Sequence, residues 1–366
     1  MGYVRLGPGR LTVRVRFLVP GNIRHNSGGN VYNARLTEGL QSLGIDVEVL
    51  AVDGAWPDAG NSERRRLGSL LERGEPEAEG KSVTVTVVDG LIACGAAGEL
   101  EAAAAVGRGV WILLHMPFPD HADGERRALQ AAAGVICSST SAAEHVRETY
   151  GLAAMVTLPG TDSAPVAAGS DPEHIISVAA LLPNKCQLLL VEALAKLQDL
   201  AWTASLVGTD GVDPAYAAEV RAAISSHGLG HRIRLTGQLV GNALTDEWNR
   251  ADLSVLVSRA ESFGLVVTES LAHGIPVIVR AGTGAEEALG LAALPVLPGT
   301  AVDLAGSESE PEILAAALRN WLSDPGLRAD WRTAALAARD HLPGWESAAR
   351  NVAAILGAPP HGHHSA

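Results

Sequence analysis

Glu261 and Glu269 bracket the segment Ser262-Phe263-Gly264-Leu265-Val266-Val267-Thr268. Apolar Leu253, Val255, Leu256 and Val257 precede it as a short buried strand, and the break at Ser262-Phe263-Gly264 opens a helix running through Leu271 and Ala272. Gly274 supplies a left-handed stop, and Pro276 starts the next strand. A tight loop from strand to helix at the carboxyl edge of a parallel sheet leaves unpaired amides and the positive helix end facing a crevice. That is an anion site, and phosphate is its natural tenant. Carboxylates pair with vicinal hydroxyls through charge-assisted hydrogen bonds. Glu261 at the strand end and Glu269, about 7.5 Å along the helix from Gly264, could therefore hold a hexose and a ribose on either side of a diphosphate. Such a ligand is a nucleotide sugar. The plainer alternative is one loop glutamate and one helix glutamate facing solvent.

The elements that would position these groups alternate as strands and helices. Leu11 to Pro20 alternates as a strand, Gly21 to Asn30 reads as a polar loop ending in Gly28-Gly29, and Val31 to Leu43 reads as a helix before the strand Val47 to Val52. The Gly-Gly pair would let backbone approach a ligand closely, and Arg24, His25 and Asn26 of the same loop are acceptor-side candidates. Residues 57 to 81, rich in Arg, Glu, Gly and Pro, read as an exposed excursion. Strands follow at Val83 to Val88 and Gly109 to His115, so that His115 stands where a parallel sheet places ligand contacts. Further strands are expected at Ala131 to Cys137, Ile175 to Leu181, Trp202 to Gly208 and Ile233 to Gly237. Helices are expected through Tyr150, over Leu188 to Gln198, Pro214 to His227 and Leu244 to Arg250, twice within 311 to 341, and over Trp345 to Leu356.

The 366 residues suffice for two ordinary domains, and 47% hydrophobic content with 4% aromatics makes the cores Ala, Val and Leu. A formal charge of −13 argues against nucleic acid as the main partner. No run is long and apolar enough to span a membrane and the start lacks a signal-peptide pattern, so a cytoplasmic protein is expected. Cys94, Cys137 and Cys186 lack metal spacing and read as buried thiols. One basic stretch stands out: Arg5, Arg10, Arg14, Arg16, Arg24 and Arg35 precede the first acid, Glu38. They could face an anionic acceptor or a lipid headgroup, allowing peripheral membrane contact, or be ordinary solvated arginines. The tail histidines 361, 363 and 364 read as a disordered end.

The stretch from Glu261 to Glu269, followed by Ala272-His273-Gly274-Ile275-Pro276-Val277-Ile278 and Thr283-Gly284 with Glu287, resembles the E-x7-E signature of family 4 retaining glycosyltransferases. Leu158-Pro159-Gly160-Thr161-Asp162 is similar to the turn that ends the first domain in that family, and Gly208-Thr209-Asp210-Gly211 is similar to another of its turns. The resemblance implies an α/β GT-B fold with two doubly wound Rossmann-like domains facing a central cleft. The expected division is an acceptor-side domain 1–165, a linker 166–173, a nucleotide-sugar domain 174–342, a helix 343–358 crossing back and a tail 359–366. It implies a retaining transfer of a hexosyl group from a UDP- or GDP-sugar to a hydroxylated acceptor, a small molecule first and a lipid second.

Residue by residue, the resemblance gives Lys185 and the amides around Ser262, Phe263, Gly264 and Leu265 to the diphosphate, Glu261 to the hexose and Glu269 to the ribose. Gly28 and Gly29 would reach the donor phosphate, Leu235 and Gly237 the nucleobase, and His115 the donor sugar. No cofactor is implied, and with no D-x-D pair in a loop the reaction is expected to be metal-independent. The chain departs from the family where relatives read G-R-L-x-x-x-K-G: Ala179-Ala180 replaces Gly-Arg, and Cys186 replaces the final Gly. Losing a bidentate arginine beside a diphosphate costs about 1.5–3 kcal/mol of contact. Arg259 or Arg280 could substitute, the donor could be unusual, or the chain could be a catalytically weakened sugar-nucleotide-binding subunit. A phosphorylase or inverting transferase would need a base, with His25 or His115 as candidates. A nicotinamide dehydrogenase is disfavoured because the first strand-helix turn lacks G-x-G-x-x-G.

Overall fold

Short runs of Val, Ile and Leu between glycine and proline breaks form twelve strands among the described residues, all paired in parallel. The computed structural model describes residues 12–22, 27–72, 82–305 and 309–357. Met1–Pro159 with Trp345–Ala366 form one unit, and Gly160–Gly344 form the other.

In the first unit the chain runs β1 (Thr12–Pro20), α1 (Gly28–Ser42), β2 (Asp46–Val52), α2 (Asn61–Glu72), β3 (Ser82–Asp89), α3 (Gly90–Gly95), α4 (Ala97–Ala105), β4 (Trp111–Leu114), α5 (Ala122–Ala131), β5 (Gly134–Cys137), α6 (Thr140–Tyr150) and β6 (Met155–Val156). Its sheet has the order β2-β1-β3-β4-β5-β6. Parallel pairing sets Arg14 opposite Asp46 and Arg16 opposite Glu48, and both pairs are bridged, at 2.6 and 3.4 Å. The basic stretch is thus partly neutralised by the neighbouring strand. Arg5, Arg10, Arg24, His25, Asn26 and the tail histidines lie outside the described residues.

Two expectations are corrected here. Gly28 and Gly29 are not in a loop: they form the first turn of α1, whose N-cap Ser27 accepts from the Asn30 amide at 3.2 Å. The stretch from 57 is not simply exposed. Four-residue spacing brings Leu67 and Leu71 onto one face of α2, where both are buried in a cluster with Leu100 and Ala103 of α4.

In the second unit the chain runs β7 (His174–Val178), a 3-10 turn Pro183–Lys185, α7 (Gln187–Ala195), β8 (Thr203–Val207), α8 (Pro214–Ser226), β9 (Ile233–Gly237), α9 (Asn242–Asn249), β10 (Leu253–Leu256), α10 (Leu265–Ala272), β11 (Val277–Arg280), α11 (Gly284–Gly290), β12 (Gly299–Val302), α12 (Glu310–Ser323) and α13 (Pro325–Ala338). The sheet order is β12-β11-β10-β7-β8-β9. Trp202 and Trp321 are buried among Leu190, Leu194 and Leu318 in its larger core. The last helix, α14 (Trp345–Ile355), belongs to the first unit, where Ala349, Val352 and Ala353 pack with Leu36 and Leu40 of α1.

Candidate functional site

In the second sheet β7 and β10 are neighbours, while the chain leaves them in opposite directions, to β8 on one side and β11 on the other. Loops diverge at such a switch point and open a crevice at the carboxyl ends of the strands. The turn after β7 and the segment after β10 are joined there, because the Arg259 amide donates to the Asn184 carbonyl at 2.8 Å. This brings Lys185 Nζ to 2.5 Å from Glu261 Oε1. Two side chains singled out from distant parts of the sequence therefore form one ion pair, and each keeps some exposure.

Backbone builds the rest of this crevice. Gly264, at φ +86°, caps α10 in a left-handed conformation, and no side chain caps that helix. The first-turn amides from Leu265 onward are the groups that a helix start leaves for an anion. Phe263 is buried and anchors the loop, whereas Ser262 and Leu265 are partly exposed. The start of α11 presses against the same loop: the Gly284 amide donates to the Glu261 carbonyl at 2.8 Å. A Cβ on Gly284 would stand 2.0 Å from the Ser262 carbonyl oxygen, so only glycine fits. Glu269 lies on the second turn of α10, partly buried. Leu235 and Gly237 lie on the edge strand β9, two strands from β7, and thus roughly 10 Å along the sheet. The Gly237 carbonyl accepts from the Gly208 amide at 3.0 Å.

The altered turn has a physical signature. Cys186, standing where relatives have glycine, is held at φ +57°, a conformation that costs a non-glycine residue about 1–2 kcal/mol. Its thiol is 3.9 Å from Arg280 Nη2. Arg280 cannot replace the missing arginine. It is 7% exposed, and its guanidinium donates to the carbonyls of Val257 at 3.0 Å and Leu304 at 2.6 Å and pairs with Glu310 at 3.1 Å. The charge is spent holding the crevice floor. Arg259 differs: its side chain is 65% exposed and has a 3.7 Å contact to Glu310.

In the first unit the switch point falls between β1, which leads to β2, and β3, which leads to β4. Here His115, just after β4, meets Asn33 of α1 and Asp89 at the end of β3. His115 Nε2 is 2.8 Å from Asn33 Oδ1, and Asn33 Nδ2 donates to Asp89 Oδ2 at 2.8 Å. Asp89 is 3% exposed and Asn33 5%. A Cβ on Gly29 would lie 3.1 Å from His115 Cδ2, so the glycine makes room for the ring. Sequence reasoning passed over Asn33 and Asp89. The available signals were an aspartate ending the apolar run Val83–Val88 before Gly90, and an asparagine one helical turn before Leu36 on the buried face of α1.

Cys94, Cys137 and Cys186 are free and buried, and burial pushes the Cys94 and Cys137 thiols up to about 12, with Glu125 adding to the rise. Among the described residues no group of three or more His, Cys, Asp or Glu side chains could hold a metal ion, and no helix is long and apolar enough to cross a membrane.

Residues 161–337 match the family described as Glycosyl transferases group 1. The chain is 27% identical to the D-inositol 3-phosphate glycosyltransferase of Kineococcus radiotolerans over 56% of its own length and 52% of that protein, so it spans about half the length of that relative. Among solved structures it is similar to the sucrose-phosphate synthase of Thermosynechococcus elongatus, with TM-score 0.71 and 20% identity over 94% of this chain and 98% of that one. Anabaena HepE in complex with UDP and glucose gives TM-score 0.70 and 18% identity over 94% and 99%. The two-unit parallel architecture is thus a GT-B fold, and its second unit contains the stretch 161–337 that is similar to the group 1 glycosyl transferases.

Proposed function

We propose that the chain is a retaining glycosyltransferase of family 4 that moves a hexosyl group from a UDP- or GDP-sugar to the hydroxyl of a small acceptor, without a metal ion. The observation that carries this reading is the Lys185–Glu261 pair, 2.5 Å apart beside the uncapped start of α10. A cation and peptide amides converge there with a carboxylate, which suits a diphosphate attached to a polyhydroxylated ring. Lys185 and the amides at Gly264 and Leu265 stabilise the charge that builds on the diphosphate as the glycosidic bond breaks. Glu261 orients the hexose and Glu269 the ribose, while the base lies toward Leu235 and Gly237. His115 takes a hydroxyl of the transferred sugar. The departing phosphate oxygen accepts the proton of the acceptor hydroxyl on the same face, and the anomeric configuration is kept.

The relative from Kineococcus radiotolerans acts, by its name, on D-inositol 3-phosphate. A phosphorylated polyol is accordingly the first acceptor to try. The test is nucleotide release from a panel of UDP- and GDP-hexoses with polyol phosphates, followed by proton NMR of the product anomer. An α-linked product is expected from an α-linked donor, and a β-linked one would overturn retention. Lys185→Ala should lower kcat about a hundredfold, and Glu269→Ala should raise the donor Kd more than it lowers kcat. If both variants match the wild type, these roles are misassigned. Ala180 favours a second reading, a sugar-nucleotide-binding subunit. Tight donor binding with no nucleotide release under any acceptor would select it.

A further inference from the structure

We infer that Asn33 and Asp89 fix His115 in a single tautomer, so that its Nδ1 accepts a hydrogen bond from a hydroxyl of the transferred sugar; this rests on the donor-sugar role proposed for His115. The chain of donors leaves one solution. Asp89 is a carboxylate with its Oδ1 taken by the Leu91 amide at 2.9 Å, and its Oδ2 accepts from the Asn33 side chain at 2.8 Å. Asn33 must therefore present its amide nitrogen to Asp89 and its carbonyl oxygen, Oδ1, to His115. That oxygen only accepts, so Nε2 of His115 carries the hydrogen across the 2.8 Å contact. In the neutral ring the lone pair then lies on Nδ1, which has no hydrogen-bond partner among the described residues.

The ring is also held in place. Tyr32 meets it edge-on at 5.2 Å and is itself tied through its hydroxyl to the Thr157 carbonyl at 2.9 Å. The Ser138 hydroxyl donates to the His115 carbonyl at 3.2 Å, and Gly29 leaves no side chain to displace the ring. Asp89 Oδ2 stands 3.5 Å from Nε2, so a second acceptor lies on the same side of the ring. An acceptor in a rigid setting selects for a hydrogen-bond donor on the substrate and disfavours an isostere lacking one. Asn33 and Asp89 are thus positioning residues.

Two measurements test this. The first needs no activity: in 15N-histidine NMR at neutral pH, assigned by comparison with His115→Ala, Nδ1 of His115 should appear as the unprotonated ring nitrogen and Nε2 as the protonated one. The reverse pattern overturns the inference. The second compares donors carrying deoxy and deoxyfluoro substitutions at the 3, 4 or 6 position. At one position both analogues should lose roughly fivefold in kcat/KM relative to the parent, because fluorine cannot donate, and the loss should vanish in His115→Ala. Asn33→Leu should erase the same discrimination and let both tautomers appear in the spectrum, and Asp89→Asn should weaken it. Full retention of activity by the fluoro analogue where the deoxy analogue loses it, or unchanged discrimination in a folded Asn33→Leu, overturns the inference. If wild type turns over no nucleotide sugar, the proposed function fails while the spectrum still decides the tautomer.

Discussion

The two sheets follow the same parallel logic, yet their polar crevices are built from different materials. In the second unit the crevice is mostly backbone: Gly264 in a left-handed cap, Gly284 pressed onto the Ser262 carbonyl, and one partly exposed ion pair, Lys185–Glu261. In the first unit it is side chain: Asn33, Asp89 and His115, drawn from a helix and two strand ends, the first two buried and His115 partly so. Amides suit a diffuse, strongly charged ligand, because many weak dipoles can share it. A buried side-chain network suits the reading of one hydroxyl, because each member is held at a fixed distance.

If the second crevice is backbone held from beneath, removing its support should cost stability before it costs donor affinity. Arg280→Met deletes a buried ion pair and leaves the Val257 and Leu304 carbonyls without their donors, at a cost of about 3–5 kcal/mol in urea unfolding. A stable variant whose donor KM rose tenfold would mean that the Arg280 charge acts on the ligand after all, and the contrast would fail. Gly284→Ala should cost about 3 kcal/mol and abolish donor binding, since its Cβ would collide with the Ser262–Phe263 peptide. Gly290→Ala, at the far end of α11 where a Cβ meets nothing, should stay within about 0.5 kcal/mol. Equal effects at the two glycines would sink the close-approach argument.

The difference in material also explains what could be read from the sequence. Glycine breaks after apolar runs mark a backbone site directly, so the loop at 261–264 and the alternation of strands and helices are legible, whereas Lys185 comes only from the family resemblance. Gly28-Gly29 misled because the pattern of apolar residues begins at Val31, whereas the helix begins at its Ser27 cap. The side-chain network was not legible as a network: positions 33, 89 and 115 converge only when β3, β4 and α1 are folded, and nothing local links them. Arg280 misled for the same reason. A charged residue ending a strand reads as a ligand group until the three partners that consume it are in view.

The amino edge of the second sheet extends the contrast, because it holds a buried side-chain network with no crevice role. Burial alone would raise the Glu247 carboxyl, but hydrogen bonds from His174, Ser205 and Arg234 outweigh it and hold its pKa at about 2. A carboxylate depressed in the folded state adds stability above its unfolded value, and that stability is lost as pH falls toward 2. Arg234 is half-exposed, which moderates the effect to about 2 kcal/mol. Between pH 5 and pH 2, wild type should therefore lose about 2 kcal/mol more than Glu247→Gln in denaturant unfolding. Parallel pH curves would show that this carboxylate is not held down.

The smallest expected effect bears on the altered turn. With Ala at 180 and Arg280 committed to the floor, Arg259 offers a guanidinium near the Lys185 turn: it is 65% exposed, with its amide bonded to Asn184 and a 3.7 Å contact to Glu310. Swinging toward a diphosphate would cost it little, because its guanidinium is exposed and Glu310 keeps the closer 3.1 Å pair with Arg280. Arg259→Ala should accordingly lower kcat/KM for the donor about tenfold, or about 1.4 kcal/mol, with stability unchanged. Ala180→Arg should restore most of that loss in the Arg259→Ala background and add little to wild type. The double variant separates substitution from simple absence. If Ala180→Arg raises wild type as much as it raises Arg259→Ala, the two positions act independently and Arg259 is not filling the gap. If it lowers both, the space beside Ala180 is already occupied by the repacked turn, where the Gln187 side chain donates to the Ala180 carbonyl at 2.9 Å.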